Sequence, residues 1–425
     1  MTKTFLLSML LALLILLQIG CTTPNEPPIP IEPSPPKIGS IYGRVIDAQA
    51  QLPAKNVTVV AFNNQVEDTT DSLGFFNLEG LSTGEETLQF TAAGFESQTK
   101  IINIKPDSQW VDISLNRMRE NLYLYVGTYG GNDLFVVDVD SLKKVDSLYF
   151  TPGNMNRLYI TPDGSKLYVT QLYQPYVTYY LDTKSRTFFP TNLPNGSIYF
   201  NNNREGFLFS NEGIFILNTL TNQVEKIDTL SFVEFVAFDN ASPTFYFANY
   251  EGKLYQYDYQ QKKIIDTLAL PISWNKAMTP DNREIYFITR NGLLGVINIQ
   301  SGAVEYITNA NPNGRIAITP DGQYVLVTDP GSNLFLYAPP SGLLIVVRTS
   351  DHSLDKYIDI KPIAGDNTSA AEIIITPSNN YAFVTNSNGG DVFIIDIRQL
   401  KAIKRLEFRP ISTTIRSLAL GGKPK

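Results

Sequence analysis

The stretch ITPDGSKLYVT occupies residues 160–170, and nearly the same eleven letters, ITPDGQYVLVT, return at residues 318–328. Such recurrence points to an internal repeat, and residues 121–425 carry it throughout. Aligned on the last apolar residue of its first strand, the unit recurs at Ile160, Phe200, Phe238, Met278, Ile318, Ile375 and Leu420. The steps are 40, 38, 40, 40, 57 and 45 residues. Each unit reads as four short strands separated by turns. The sixth reads RIAIT, PDGQ, YVLVT, DPGSN, LFLYA, PPSG, LLIVVRT. Four strands in about 40 residues is the pattern of a β-propeller blade. T-P-D-G itself reads as turn chemistry, with Pro presetting the backbone and Asp or Asn and Gly closing it. Blade 3 replaces it with NNNREG and blade 4 with DNASP, both still turn-rich.

The ends of this region settle the blade count. It begins at NLYLYVGTYGGNDLFVVDVDSLKKVDSL, which supplies strands two to four of a blade without a first. It ends at TTIRSLALGGKPK, a first strand with no blade after it. Pairing Leu418–Leu420 with Leu122–Val126 completes a seventh blade and removes the open sheet edges. The expected fold is all-β, with seven blades at residues 118–425.

Composition excludes several classes. The net charge is −7 and 18% of residues are charged, which leaves no basic footprint for nucleic acid. One His and one Cys cannot form a multi-ligand zinc site or a disulfide. No cofactor is expected.

The single cysteine belongs to the N-terminus. Lys3 precedes the apolar run Phe5–Leu17, which is too short to span a bilayer and right for a signal-peptide core. LQIGC follows at residues 17–21. It resembles a bacterial lipoprotein signal, with Gln18 where leucine is usual. The resemblance implies cleavage after residue 20 and lipidation of Cys21, hence a membrane anchor in the cell envelope, in the outer membrane of a Gram-negative bacterium. Residues 21–38 then form a stalk, with seven prolines in TTPNEPPIPIEPSPPK.

Residues 39–117 read as a small antiparallel β-sandwich, from short alternating runs broken by Gly, Asp and Pro. Gly43, Val45, Asp47; Pro53, Val57, Val59; Thr70, Asp71, Gly74, Phe76, Leu78; and Gly94, Phe95 resemble the pattern of carboxypeptidase regulatory-like, or transthyretin-like, domains. A tight turn is expected at Asp71–Gly74, with Phe76 and Leu78 on one face of the next strand. No peptidase follows, so this domain is expected to act as a spacer or adhesive module.

The propeller repeats resemble the YVTN-repeat family, whose unit is I-A-x-T-P-D-G-x-x-x-Y-V-x-N. That resemblance implies ligand contact on the face carrying the loops between strands two and three and between successive blades. On that face Tyr173 and Tyr176 flank the blade 2 loop, and Trp274 precedes the first strand of blade 5. Aromatic rings beside Asn and Asp suit a sugar; packing between blades is the alternative use of the same rings. Arg157 and Arg315 share one repeat position and Lys276 lies near it, so first strands lining the channel would form a basic funnel. Ion pairing with Glu234 and Glu372 is the alternative.

His352 falls in the long step between blades 6 and 7 and reads as part of an insertion over residues 350–370. Triplets such as Asp140-Ser141-Leu142 and Asp146-Ser147-Leu148 resemble an O-glycosylation motif of exported proteins. Two function classes follow. One is a non-enzymatic envelope lipoprotein whose propeller binds a glycan or protein partner. The other is an exported lactonase-like hydrolase, because LYVGTYGGNDLFVVDVD at residues 124–140 resembles the first repeat of 6-phosphogluconolactonase-type propellers.

Overall fold

The computed structural model describes residues 37–230, 233–239, 242–249, 252–271, 273–310, 313–330, 342–364, 370–386, 389–408 and 414–423. The apolar leader, Cys21 and nearly all of the proline-rich stretch lie outside the described residues. The chain forms two compact units, one built from residues up to Thr91 with Ser97–Leu115, the other from Ala92–Glu96 with Asn116–Lys425.

The first unit is a sandwich of two four-stranded sheets. In one, Ile38–Asp47 pairs with Leu52–Pro53, Phe75–Ser82 and Ser108–Leu115. In the other, Thr58–Ala61, Val66–Thr69, Gly84–Thr91 and Gln98–Ile104 pair antiparallel. One pairing, Ser40–Asp47 with Ser108–Leu115, is parallel. Alternation sends Ile41, Val45, Val59, Phe76, Leu78, Leu88 and Phe90 inward, where all are buried. Asp71 closes the expected turn, its Oδ1 accepting the N–H groups of Leu73 and Phe75. Gly74 supplies the left-handed φ of +80° that the turn requires.

The second unit holds seven four-stranded antiparallel sheets. In blades 2 to 7 the strands follow one another outward in chain order. In blade 1 the innermost strand is Ile415–Gly422, paired with Leu122–Thr128 in the register Leu418↔Val126, Leu420↔Leu124. The ring is therefore closed by the two ends of the propeller chain, as the sequence predicts.

Seven hydrophobic clusters fill the seven spaces between consecutive blades. This explains why second strands are nearly continuous apolar runs. In LYVT, Leu167 and Val169 pack toward blade 1 while Tyr168 packs toward blade 3. The space between blades 3 and 4 is filled by rings, including Phe207, Phe209, Phe245, Phe247 and Tyr257.

Each letter of T-P-D-G has a task. Thr319 Oγ1 donates to Asp321 Oδ1 at 2.6 Å and accepts the Tyr324 N–H at 2.9 Å. Gly322 holds φ at +70°. Thr161 and Asp163 repeat this in blade 2, and Thr279 and Asp281 in blade 5. A second recurrent turn, between strands three and four, is absent from the sequence reading. Asp138, Asp182, Asn218, Asp258, Asn298 and Asp396 accept main-chain N–H groups within the turn. Four residues after each, at Leu142, Arg186, Asn222, Lys262, Gly302 and Leu400, φ is positive.

Blade 6 differs from its expected strands. Its third strand is Leu343–Arg348 and its fourth is Leu354–Asp359. LFLYA, residues 334–338, lies outside the described residues. The long step is thus extended chiefly between the second and third strands, from Thr328 to Leu343, and to a lesser extent in the link from Asp359 to Ala370, which falls within the expected 350–370. His352 sits in the tight turn joining the last two strands, with φ +54°, where the other blades place their positive-φ residue. Among the described residues, one short helix, Lys361–Ala364, follows that blade.

Candidate ligand-binding site

The loop of blade 2 is held by a buried side chain. Gln171 ends the second strand; its Nε2 donates to the Gly153 carbonyl at 3.2 Å and its Oε1 accepts the Val177 N–H at 3.3 Å. The loop between them carries Tyr173 and Tyr176, 59% and 44% exposed. Tyr176 adopts φ +55°, a strained value for a bulky residue of the kind that collects at binding sites. Neither phenol has a hydrogen-bond partner among the described residues.

Tyr176 lines a cleft of about 730 Å³ with Pro175, Asn192, Leu193, Pro194, Asn195, Ser210, Asn211 and Glu212. The cleft draws on the strand two–three loops of blades 2 and 3 and on the link between those blades. Glu212 is exposed, and its carboxylate makes no hydrogen bond or ion pair among the described residues. The arrangement offers an aromatic face with amide and carboxylate groups around it. Asn192, Asn195 and Glu212 were not among the expected site residues. Their signal was the turn-rich stretches TNLPN and NEG at residues 191–195 and 211–213.

The arginines lie elsewhere. Arg157, Arg315 and Glu372 occupy one repeat position on the innermost strands of blades 2, 6 and 7. Arg157 Nη1 and Arg315 Nε donate to the same oxygen, Glu372 Oε1, at 3.2 and 3.1 Å. Arg315 Nη1 also donates to Asn275 Oδ1. Each member is set by its neighbouring strand: Thr170, Thr328 and Thr385 accept the main-chain N–H of Arg157, Arg315 and Glu372 through their hydroxyls. Burial works against the charge on Arg157, but the Glu372 carboxylate holds its pKa above the ordinary value.

The expected basic funnel is thus a triad with one carboxylate bridging two guanidiniums. Tyr159 lies two residues further along the strand from Arg157, and Tyr199 at the matching position of blade 3, their phenol pKa values raised by burial. Lys276 lies on the innermost strand of blade 5 and takes part in interactions of its own. Trp274 lies within that strand, not before it, as the extra residue of a bulge between Ser273 and Asn275; its side chain is outside the described residues. The structure does not bring Tyr173 and Tyr176 together with the arginines.

The first unit carries a feature that its reading as a spacer or adhesive module did not name. Phe75 and Trp110 make an edge contact at 6.1 Å, and Arg44 lies 5.4 Å over Phe75. Tyr42 is also exposed on this sheet.

Fold and site define a β-propeller protein preceded by a small β-sandwich, with a cleft lined by an exposed tyrosine, amides and a carboxylate on the propeller's loop face. Residues 41–124 match the family model of the CarboxypepD_reg-like domain. A search of curated proteins by sequence finds no match. Among solved structures, a putative 6-phosphogluconolactonase from Bacteroides fragilis superposes with a TM-score of 0.51 at 13% identity, over 70% of this chain and 97% of that one. Hydrazine synthase of Kuenenia stuttgartiensis gives 0.50 at 13% identity, over 60% and 86%. Dihydro-heme d1 dehydrogenase NirN in complex with DHE gives 0.48 at 15% identity, over 68% of this chain and only 64% of that one. These likenesses are of fold.

Proposed function

We propose that this chain is a membrane-anchored cell-envelope lipoprotein, held through Cys21, whose propeller binds a glycan. The observation that carries the reading is the cleft beside Tyr176, where an exposed ring and the unpaired Glu212 carboxylate stand among Asn192, Asn195 and Asn211. A ring stacks on the C–H face of a sugar while amides and carboxylates bond its hydroxyls. A protein partner on the same face is the alternative within this reading. Against a lactonase role, the one histidine lies on the face opposite the cleft and is held by Glu284 and Glu305.

The test is a glycan-array screen of the protein beside Tyr176→Ala and Glu212→Gln variants. Binding that both variants weaken supports the cleft. Binding that survives both places the ligand elsewhere, and binding to no glycan leaves the protein partner. Separately, Cys21→Ser is expected to move the protein from the membrane fraction to the soluble fraction of intact cells.

A further inference from the structure

Two guanidiniums share one carboxylate oxygen, so the triad of Arg157, Arg315 and Glu372 carries one excess positive charge that no other carboxylate meets among the described residues; the side chain of Glu234, the other expected partner, lies outside them. A guanidinium has five N–H donors. Arg157 gives one to Glu372, while Arg315 gives one to Glu372 and one to Asn275. The other side-chain donors of both arginines have no acceptor among the described residues. The two side chains remain 44% and 37% accessible, so solvent reaches them. Hydroxyl and amide groups surround the same level: Ser197, Asn275 and, beyond them, the phenols of Tyr159 and Tyr199.

We propose that the Arg157–Arg315 pair is a second binding site, a receptor for the carboxylate of an acidic sugar, with Glu372 holding the two forks in place. The proposal rests on the glycan-binding reading but uses none of the cleft residues. One excess positive charge matches one carboxylate. The planar forks donate directed hydrogen bonds to its two oxygens, as a lysine pair would not. The surrounding hydroxyls and amide suit a hydroxyl-rich ligand. Tyr159 and Tyr199 are neutral at physiological pH, as phenols ordinarily are, and burial raises their pKa further, so they are hydroxyl donors there.

Isothermal titration of the full chain with trigalacturonate, a neutral galactotriose and inorganic phosphate tests the site. Trigalacturonate is expected to bind, and to bind less tightly as salt rises. Arg157→Lys keeps the charge and loses the fork, and is expected to weaken binding by about tenfold. Glu372→Gln removes the internal competitor while leaving an amide oxygen for the arginines, and is expected to tighten binding several-fold. A triad that serves only the fold would give no such gain. Equal binding of galactotriose or phosphate overturns the proposal, as does a trigalacturonate affinity unmoved by both variants. If Tyr176→Ala alone abolishes trigalacturonate binding, the cleft stands and the channel site is rejected. If only the channel variants act, the cleft reading fails and the channel site stands.

Discussion

Nε2 of His352 lies 3.0 Å from Oε1 of Glu284, while its Nδ1 lies 2.8 Å from Oε2 of Glu305. The turn of blade 6 is thereby tied to the second and fourth strands of blade 5. Both ring nitrogens donate only when the imidazole is protonated. Burial lowers the His352 pKa, but the hydrogen bonds and charges of Glu305 and Glu284 outweigh it, and the net shift is above 6.5. A pKa raised on folding adds stability that is fully present below 6.5 and lost as pH rises through the folded value. His352→Gln is therefore expected to cost about 1 kcal/mol at pH 6 and progressively less toward pH 9. Urea unfolding of both proteins across that range measures it. A difference that stays flat with pH would rule out the imidazolium tie.

The T-P-D-G turns make a second prediction. Thr319 is fully buried, and its hydroxyl satisfies the Tyr324 N–H. Thr319→Val keeps the shape, leaves that N–H without its partner and leaves Asp321 with only the Gln323 N–H. The expected loss is about 1–3 kcal/mol, read as a lower urea midpoint at unchanged slope. The same exchange at Thr161 or Thr279 is expected to act alike, because their hydrogen bonds repeat.

Closure of the ring makes a third. Lys423 Nζ bonds Asp138 and Asp140 at 2.7 and 2.8 Å, fastening the strand Ile415–Gly422 across blade 1. Burial lowers the Lys423 pKa, but both aspartates raise it further, so the bond persists through neutral pH. Lys423→Met is expected to cost about 1 kcal/mol or less, as the side chain is part-exposed. Ending the chain at residue 413 removes the whole innermost strand and exposes the edge of Leu122–Thr128. That variant is expected to lose its single thermal transition and to self-associate, as seen by scattering during melting.

What the sequence discloses follows from how local each demand is. T-P-D-G is legible because Thr319, Asp321 and Gly322 satisfy one turn among themselves. Arg157, Arg315 and Glu372 are far apart in sequence, yet repeat alignment puts all three at one position, and a closed ring turns that into proximity. Blade 6 was misread because LFLYA and LLIVVR are both apolar runs of strand length, and only the pairing Thr328↔Leu344 selects the second. The cleft is half visible in the sequence: Tyr176 stands out by its aromatic surroundings. Nothing local reveals that Glu212 and Asn192 face the same space, because two blades must pack before their loops meet.

Gln171 gives the last prediction, one that separates positioning from folding. It does not line the cleft; it ties Pro152 and Gly153, between blades 1 and 2, to the Val177 end of the Tyr176 loop. Gln171→Leu fills nearly the same buried volume and deletes all three hydrogen bonds. The strand remains held by its ladder, since Thr170 still pairs with Thr178. The fold is therefore expected to persist, with a melting temperature lowered by only a few degrees, since about 1–2 kcal/mol is lost. The loop, no longer fixed, must be ordered on binding, so affinity at the cleft is expected to fall by about tenfold through faster dissociation. Surface plasmon resonance on whichever glycan the array identifies reads both rates. An unchanged dissociation rate would mean that Tyr176 needs no such brace.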